Sequence, residues 1–224
     1  MERLYKYRFE IFLLSQVVTL FGSLLFPISL FNKVIFPILL LLNIGAGIIL
    51  ISKNKKVMWF FILLFSIAIL TLGNSFLVTT EINNYFYARL GVNFLFYGII
   101  TIEIIKQIWN ATLVNKNVII GLMSGYICLG LMACFMFSFI EFTTPDSFQG
   151  LLISDQDVNT KMDSLLYYSF ITLLTIGYGE IIPMTPAAQK AAILTGLVGQ
   201  FYLVIITAVV VEKYIHHSKN TQNG

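Results

Sequence analysis

The chain has 224 residues, 58% hydrophobic and only 11% charged, with a mean hydropathy of +0.85, whereas soluble domains carry about 25% charged residues. That composition excludes a hidden soluble domain and makes this a membrane protein whose helices are the domain. The net charge of +3, from 14 basic and 11 acidic residues, matters less for its sign than for its placement.

Apolar runs of roughly 20 residues, enough to cross a hydrocarbon core of about 30 Å, predict six spans near 9–27, 34–51, 57–78, 90–109, 118–140 and 189–211. The basic start MERLYKYRFE resembles a signal peptide but lacks a small-x-small cleavage site, so the first run reads as a retained helix. Asn43, Asn74 and Asn93, in spans two, three and four, read as hydrogen-bonding glue between helices. Glu103, the one acid inside a span, stands three residues before Lys106 and predicts an interfacial ion pair. Cys128 and Cys134 share the fifth run and read as small packing residues, without the neighbouring ligands a metal site needs.

With the N-terminus inside, ten basic residues fall on the cytoplasmic side (Arg3, Lys6, Arg8, Lys53, Lys55, Lys56, Lys106, Lys116, Lys213 and Lys219). Four fall outside (Lys33, Arg89, Lys161 and Lys190). The positive-inside rule therefore places both termini in the cytoplasm of a multi-pass plasma-membrane protein. The aromatic residues agree, with Trp59 and Trp109 at the inner interface and Tyr85 and Tyr87 at the outer one.

The connection 141–188 is the longest and lies outside. Its acids, Glu141, Asp146, Asp155, Asp157, Asp163 and Glu180, face the single base Lys161, so it predicts an acidic vestibule that concentrates cations. Thr160 with Asp163 three residues on reads as a helix cap before SLLYYSFITLL. A helix over 161–174 would be about 21 Å long, too short to span, and fits a re-entrant helix and loop, which non-helical backbone at membrane depth permits only inside protein or around water.

The stretch TIGYG, Thr175 to Gly179, supplies the chemistry. A potassium ion sheds its water in a narrow pore when rings of backbone carbonyls replace the hydration shell. Pointing successive carbonyls one way requires alternating ordinary and positive φ, which glycine reaches without steric cost. Gly177 and Gly179 stand two apart around Tyr178, and the carbonyl end of the short helix favours a cation.

The segment YYSFITLLTIGYGEIIPMTPAAQ resembles the pore loop of potassium channels, whose signature T-[VI]-G-Y-G is matched at Thr175, Ile176, Gly177, Tyr178 and Gly179. The resemblance covers about residues 118–215. It implies a homotetramer, because four loops close each carbonyl ring; with the six apolar runs, the expected fold is an all-α membrane protein of six transmembrane helices with a re-entrant pore helix and filter loop between the fifth and sixth. It divides the chain into a four-helix membrane domain over 1–117 and a pore module over 118–215. The module comprises an outer helix 118–140, a pore helix 161–174, a filter 175–179 and an inner helix 189–211; 216–224 is a short cytoplasmic tail. An inner-helix hinge glycine is implied at Gly199, with Gly196 one turn earlier; close helix packing accounts for either glycine equally well.

Three positions depart from the family pattern. Glu180 stands where Asp is usual, Tyr167 and Tyr168 replace paired tryptophans, and Leu174 takes a position often held by Thr. The first two put the family's bracing of the filter in question. The fourth span has only Arg89 and Lys106 at its edges, too few charges for a voltage sensor when each yields about 2.3 kcal/mol per 100 mV.

The expected function is passive potassium conduction. The chain has no enzymatic chemistry, since it lacks a Walker loop, a catalytic triad and a zinc spacing. No cofactor is expected beyond K+ as the permeant ion, bound by filter backbone only. Expected partners are further copies of the chain, K+ and the lipid bilayer, with no nucleic acid. The 13-residue tail has no room for a nucleotide- or calcium-sensing domain, so a regulator acts on the membrane part or arrives as a separate subunit. His216 and His217 are adjacent rather than metal-spaced, and the sequon at Asn110 falls in the cytoplasm. The rival readings are a weakly selective cation channel and, further off, a potassium transporter subunit or membrane sensor.

Overall fold

The computed structural model describes residues 5–27, 30–77, 84–111, 115–151 and 158–222, with the side chains at 33, 74–77 and 213–222 outside the description. Asp155, Asp157, Arg3 and the side chains of Lys33, Asn74, His216 and His217 therefore lie outside the described residues, as does Thr112 of the sequon.

Seven α-helices are formed among the described residues. Helix α1 (Arg8–Phe21) runs on through a 3-10 turn, Gly22–Leu24. A π turn, Phe31–Ile35, leads into α2 (Phe36–Ile51), which carries Pro37 in its first turn, where a missing N–H costs no helical bond. Then come α3 (Lys55–Leu77), α4 (Asn84–Trp109) and α5 (Lys116–Thr143). The side chain of Asn115 caps α5 by accepting the Val118 amide at 3.2 Å. A two-residue strand β1 (Phe148–Gln149) precedes α6 (Val158–Leu173), and β2 (Ile182–Pro183) precedes α7 (Pro186–Gln222).

Four helical stretches, Lys55–Gly73, Asn84–Trp109, Lys116–Thr143 and Pro186–Glu212, are long and apolar enough to cross a membrane; the chain is a multi-pass membrane protein. The first two expected spans are shorter, with 14 and 16 residues of α-helix, because the chain loosens into the 3-10 turn after Phe21 and into the π turn before Phe36. The π turn is used: it presents Asn32, whose amide donates to Asp163 of α6.

Helix α5 is the centre of the bundle. It packs against α1 and α4 on one side and against α6 and α7 on the other, while α2 and α3 close the first group. Aromatic residues fill the first group: Phe12, Phe61, Phe96, Tyr97 and Phe135 are fully buried. Phe61 and Phe96 meet at 5.1 Å between ring centroids, and Tyr97 stacks on Phe135 at 5.9 Å with the planes 9° apart.

Polar cross-links add specificity at modest energy, about 0.6 kcal/mol each on average in membranes. Gln16 of α1 donates to Ser124 O and Cys128 Sγ of α5, and Asn43 of α2 donates to Ser15 Oγ of α1. Asn93 departs from the expected role: its amide donates to Arg89 O one turn back on its own helix, at 2.8 Å. Glu103 and Lys106 form the expected i, i+3 pair at 2.9 Å.

Candidate functional site

The site is built on α6 and the loop that follows it. The expected cap at Thr160 is corrected: α6 begins at Val158, and Thr160 lies inside the helix, its carbonyl accepting Ser164 Oγ at 3.1 Å. Tertiary contact overrides the local signal, since Val158 is buried in the large core cluster and Asp163 is held by Asn32. At 16 residues α6 is about 24 Å long.

Both ends of α6 are pinned. Near its start, Lys161 Nζ pairs with Glu141 Oε1 of α5 at 3.3 Å, and Glu141 Oε2 accepts the Phe148 amide at 3.2 Å. The Glu141 carboxylate is thus almost wholly buried and serves as scaffold, which corrects its assignment to an acidic vestibule; Asp146 and Glu180 remain exposed. At mid-helix Tyr168 is buried against Phe137 and Phe148, at 5.1 and 5.4 Å. At the far end Tyr126 of α5 donates to Leu173 O at 3.1 Å.

The loop then takes the backbone form that its glycines permit. Thr175, Gly177 and Gly179 have φ of 57°, 56° and 93°, whereas Ile176 and Tyr178 are not in the positive-φ region. The amides of Thr175, Ile176 and Gly177 point back onto α6: Thr175 N donates to Thr172 O at 3.0 Å, and Ile176 N and Gly177 N both donate to Ile171 O at 2.8 and 3.3 Å. There are no cis peptide bonds among the described residues. In a planar trans peptide the carbonyl opposes the following N–H, so the carbonyls of Leu174, Thr175 and Ile176 point away from α6. Leu174, Ile176 and Tyr178 are exposed in the single chain, Tyr178 by 73%.

Beyond the loop, Glu180 does have an aromatic partner. Its carboxylate lies beside the Tyr167 hydroxyl and pushes the phenol up to about 12. Glu is one methylene longer than Asp and Tyr reaches differently from Trp, yet the pair meets. Of the two tyrosines only Tyr167 joins Glu180; Tyr168 packs inward.

Several contributors leave no motif in the sequence. Gln200 of α7 donates to Thr175 Oγ1 at 3.3 Å. Gly150, with φ of 87°, sits against the Glu180 carbonyl. Strand β1 pairs antiparallel with β2, Phe148 opposite Pro183 and Gln149 opposite Ile182. Local composition offered no sign of these contacts; Gly150 alone carried one, as a glycine ahead of a turn.

Helix α7 starts at Pro186, with Thr185 Oγ1 accepting the Ala188 amide at 3.3 Å, and continues through both candidate hinge glycines. At Gly199 an added Cβ would lie 2.8 Å from Leu173 O, while at Gly196 the nearest atom, Thr172 O, would be 4.0 Å away. Gly199 thus lets α7 approach the end of α6. Replacing Gly199 by Ala is expected to destabilise the protein by about 1–3 kcal/mol through overpacking. Gly196→Ala is expected to be neutral or slightly stabilising, since Ala is the better helix former. Thermal unfolding in detergent checks this, and equal melting shifts for the two variants would refute it.

Residues 147–216, under a third of the chain, match the family model described as an ion channel. No curated protein and no solved structure matches. The matched stretch contains β1, α6, the loop, β2 and most of α7, so it is this part of the membrane protein that is similar to an ion-channel domain.

Proposed function

We propose that this chain, with its ion-channel domain at 147–216, is a potassium-selective channel that assembles as a homotetramer and conducts passively. The observation that carries the reading is the alternation of positive and ordinary φ over Thr175, Ile176, Gly177, Tyr178 and Gly179, with the loop amides turned onto α6. Carbonyls released in this way are free to replace an ion's water. One chain offers only one wall of such a ring; four copies about a common axis supply the rest. The exposed Ile176 and Tyr178 side chains support that arrangement, because they have no cover in the single chain.

In this reading α5, α6, the loop and α7 are the pore module over 118–215, and residues 1–117 are a membrane domain around it. The ten-to-four division of basic residues supports cytoplasmic termini, which puts Glu180 at the external mouth. The carbonyl end of α6 aims at the loop and adds roughly half a negative charge. The bonds from the Thr175, Ile176 and Gly177 amides to α6 support a firmly held loop, and so favour potassium selectivity over weak cation selectivity.

Recording the purified chain in planar bilayers with potassium on one side and sodium on the other tests the proposal. The reversal potential is expected far from zero, with the potassium side negative, as a high potassium-to-sodium permeability ratio requires; a value near zero would favour the weakly selective channel. In symmetric potassium, open probability should change little between strongly negative and strongly positive potentials, because α4 has only Arg89 and Lys106 near its ends. A steep sigmoid there would overturn the assignment of α4.

A further inference from the structure

The segment that follows α5 is joined to the segment after the filter at every position from Ser147 to Gly150. Ser147 O accepts the Met184 amide at 2.8 Å, and Ser147 Oγ accepts from Thr185 Oγ1 at 3.2 Å. Phe148 and Gln149 pair with Pro183 and Ile182. Glu141 holds the Phe148 amide from below. Gly150 then meets the chain directly: a Cβ there would overlap the Glu180 carbonyl oxygen and lie 3.0 Å from the Glu180 carbonyl carbon and 3.4 Å from Ile181 Cα.

Two separate conditions select glycine here. The φ of 87° is strained for most L residues, although Asn and Asp tolerate left-handed backbone better than others. The overlap with a backbone atom excludes those as well, because a carbonyl cannot rotate aside as a side chain can. Nothing in the TIGYG motif encodes this contact, which comes from residues about 30 positions earlier in the chain.

We propose that Gly150 is a positioning residue for the filter, and that the turn it closes fixes the Glu180 carbonyl against the outer end of the carbonyl row. The inference rests on the channel reading for its effect on conduction, but not for its effect on the backbone. With Ala at 150, turn and carbonyl have to part by on the order of 1 Å to restore van der Waals separation. That shift reaches Gly179 through a single peptide and loosens the outer carbonyls without touching α6 or α7.

The test uses the full chain and two readouts. The first is amide hydrogen exchange by mass spectrometry over 176–184, comparing wild type with Gly150→Ala and with the milder Ser147→Ala, which removes only the hydroxyl contacts to Thr144 and Thr185. Exchange there is expected to rise on the order of tenfold in Gly150→Ala and about threefold in Ser147→Ala, with α4 and α5 unchanged. The second is the sodium-to-potassium permeability ratio in bilayers, which does not depend on how many molecules have folded. It is expected to rise on the order of tenfold in Gly150→Ala, the change that about 1.4 kcal/mol of lost site preference gives.

Unchanged exchange over 176–184 in Gly150→Ala overturns the proposal, as does a rise spread equally over α4 and α5. If Gly150→Ala does not fold, Ser147→Ala decides alone on the same criterion. A conducting Gly150→Ala with the wild-type permeability ratio also overturns it. If wild type itself carries no current, the channel reading falls, and the exchange result still decides whether Gly150 positions Glu180.

Discussion

Replacing Gly177 by Ala is expected to abolish potassium current while leaving the chain inserted and assembled. Gly177 has φ of 56°, and an added Cβ would meet no atom within 4 Å in the single chain; the penalty is therefore conformational. An L residue held in the left-handed region costs roughly 1–2 kcal/mol, and in the proposed tetramer the cost falls on four loops at the same level. The cheapest relief is a flip of the adjoining peptide, which turns a carbonyl out of the row and an N–H into it. A cation then meets a donor where it needs an acceptor. Bilayer recording with surface-labelled, gel-filtered protein measures both halves of the prediction, and normal current in Gly177→Ala would sink the carbonyl-filter reading.

Replacing Glu141 by Ala is expected to cost about 1–3 kcal/mol, the penalty for leaving a buried amide without its acceptor, rather than the larger one for a fully buried ion pair. The Glu141 side chain is 1% exposed, against 30% for Lys161, so the part of the cost that comes from Lys161 is reduced by its access to water. The Phe148 amide has no such relief. It is buried, and losing the Glu141 oxygen leaves it without that acceptor. The start of α6 and strand β1 should loosen together, visible as a lower melting temperature in detergent and as faster exchange in both segments. A variant that melts like wild type would show that Glu141 carries none of this load.

The form of the 175–179 loop was legible because its requirement is local: two glycines at i, i+2 permit positive φ at both positions, and a short apolar helix before them needs only a length count. Span positions were legible for the same reason, the long apolar runs of α3, α4, α5 and α7 being set by bilayer thickness. The start of α6 was not legible. Thr160 and Asp163 carry a proper local capping pattern, but Val158 gains burial and Asp163 gains Asn32, partners 131 residues apart in the latter case. The closeness of Tyr167 to Glu180 is not legible for a comparable reason: motif comparison tracks residue types, whereas an interaction tracks where two side-chain ends arrive. Glu141 reads from sequence as one acid among six, and only its burial separates it from the others. The Gly199 contact with Leu173 likewise depends on how α7 lies across α6, which no spacing within α7 encodes.

Thr175 bears on the order of assembly. It is β-branched and holds a φ of 57°, a conformation its own chemistry disfavours, so the isolated segment spends little time in it. What compensates comes from both flanking helices: its amide bonds Thr172 O on α6, and its hydroxyl accepts from Gln200, 25 residues on in α7. The first is in place once α6 has formed, but Gln200 arrives only when α7 has docked. The loop is therefore expected to be among the last parts of the subunit to settle, and a chain arrested before α7 inserts would have α6 formed but the backbone of 175–179 unset.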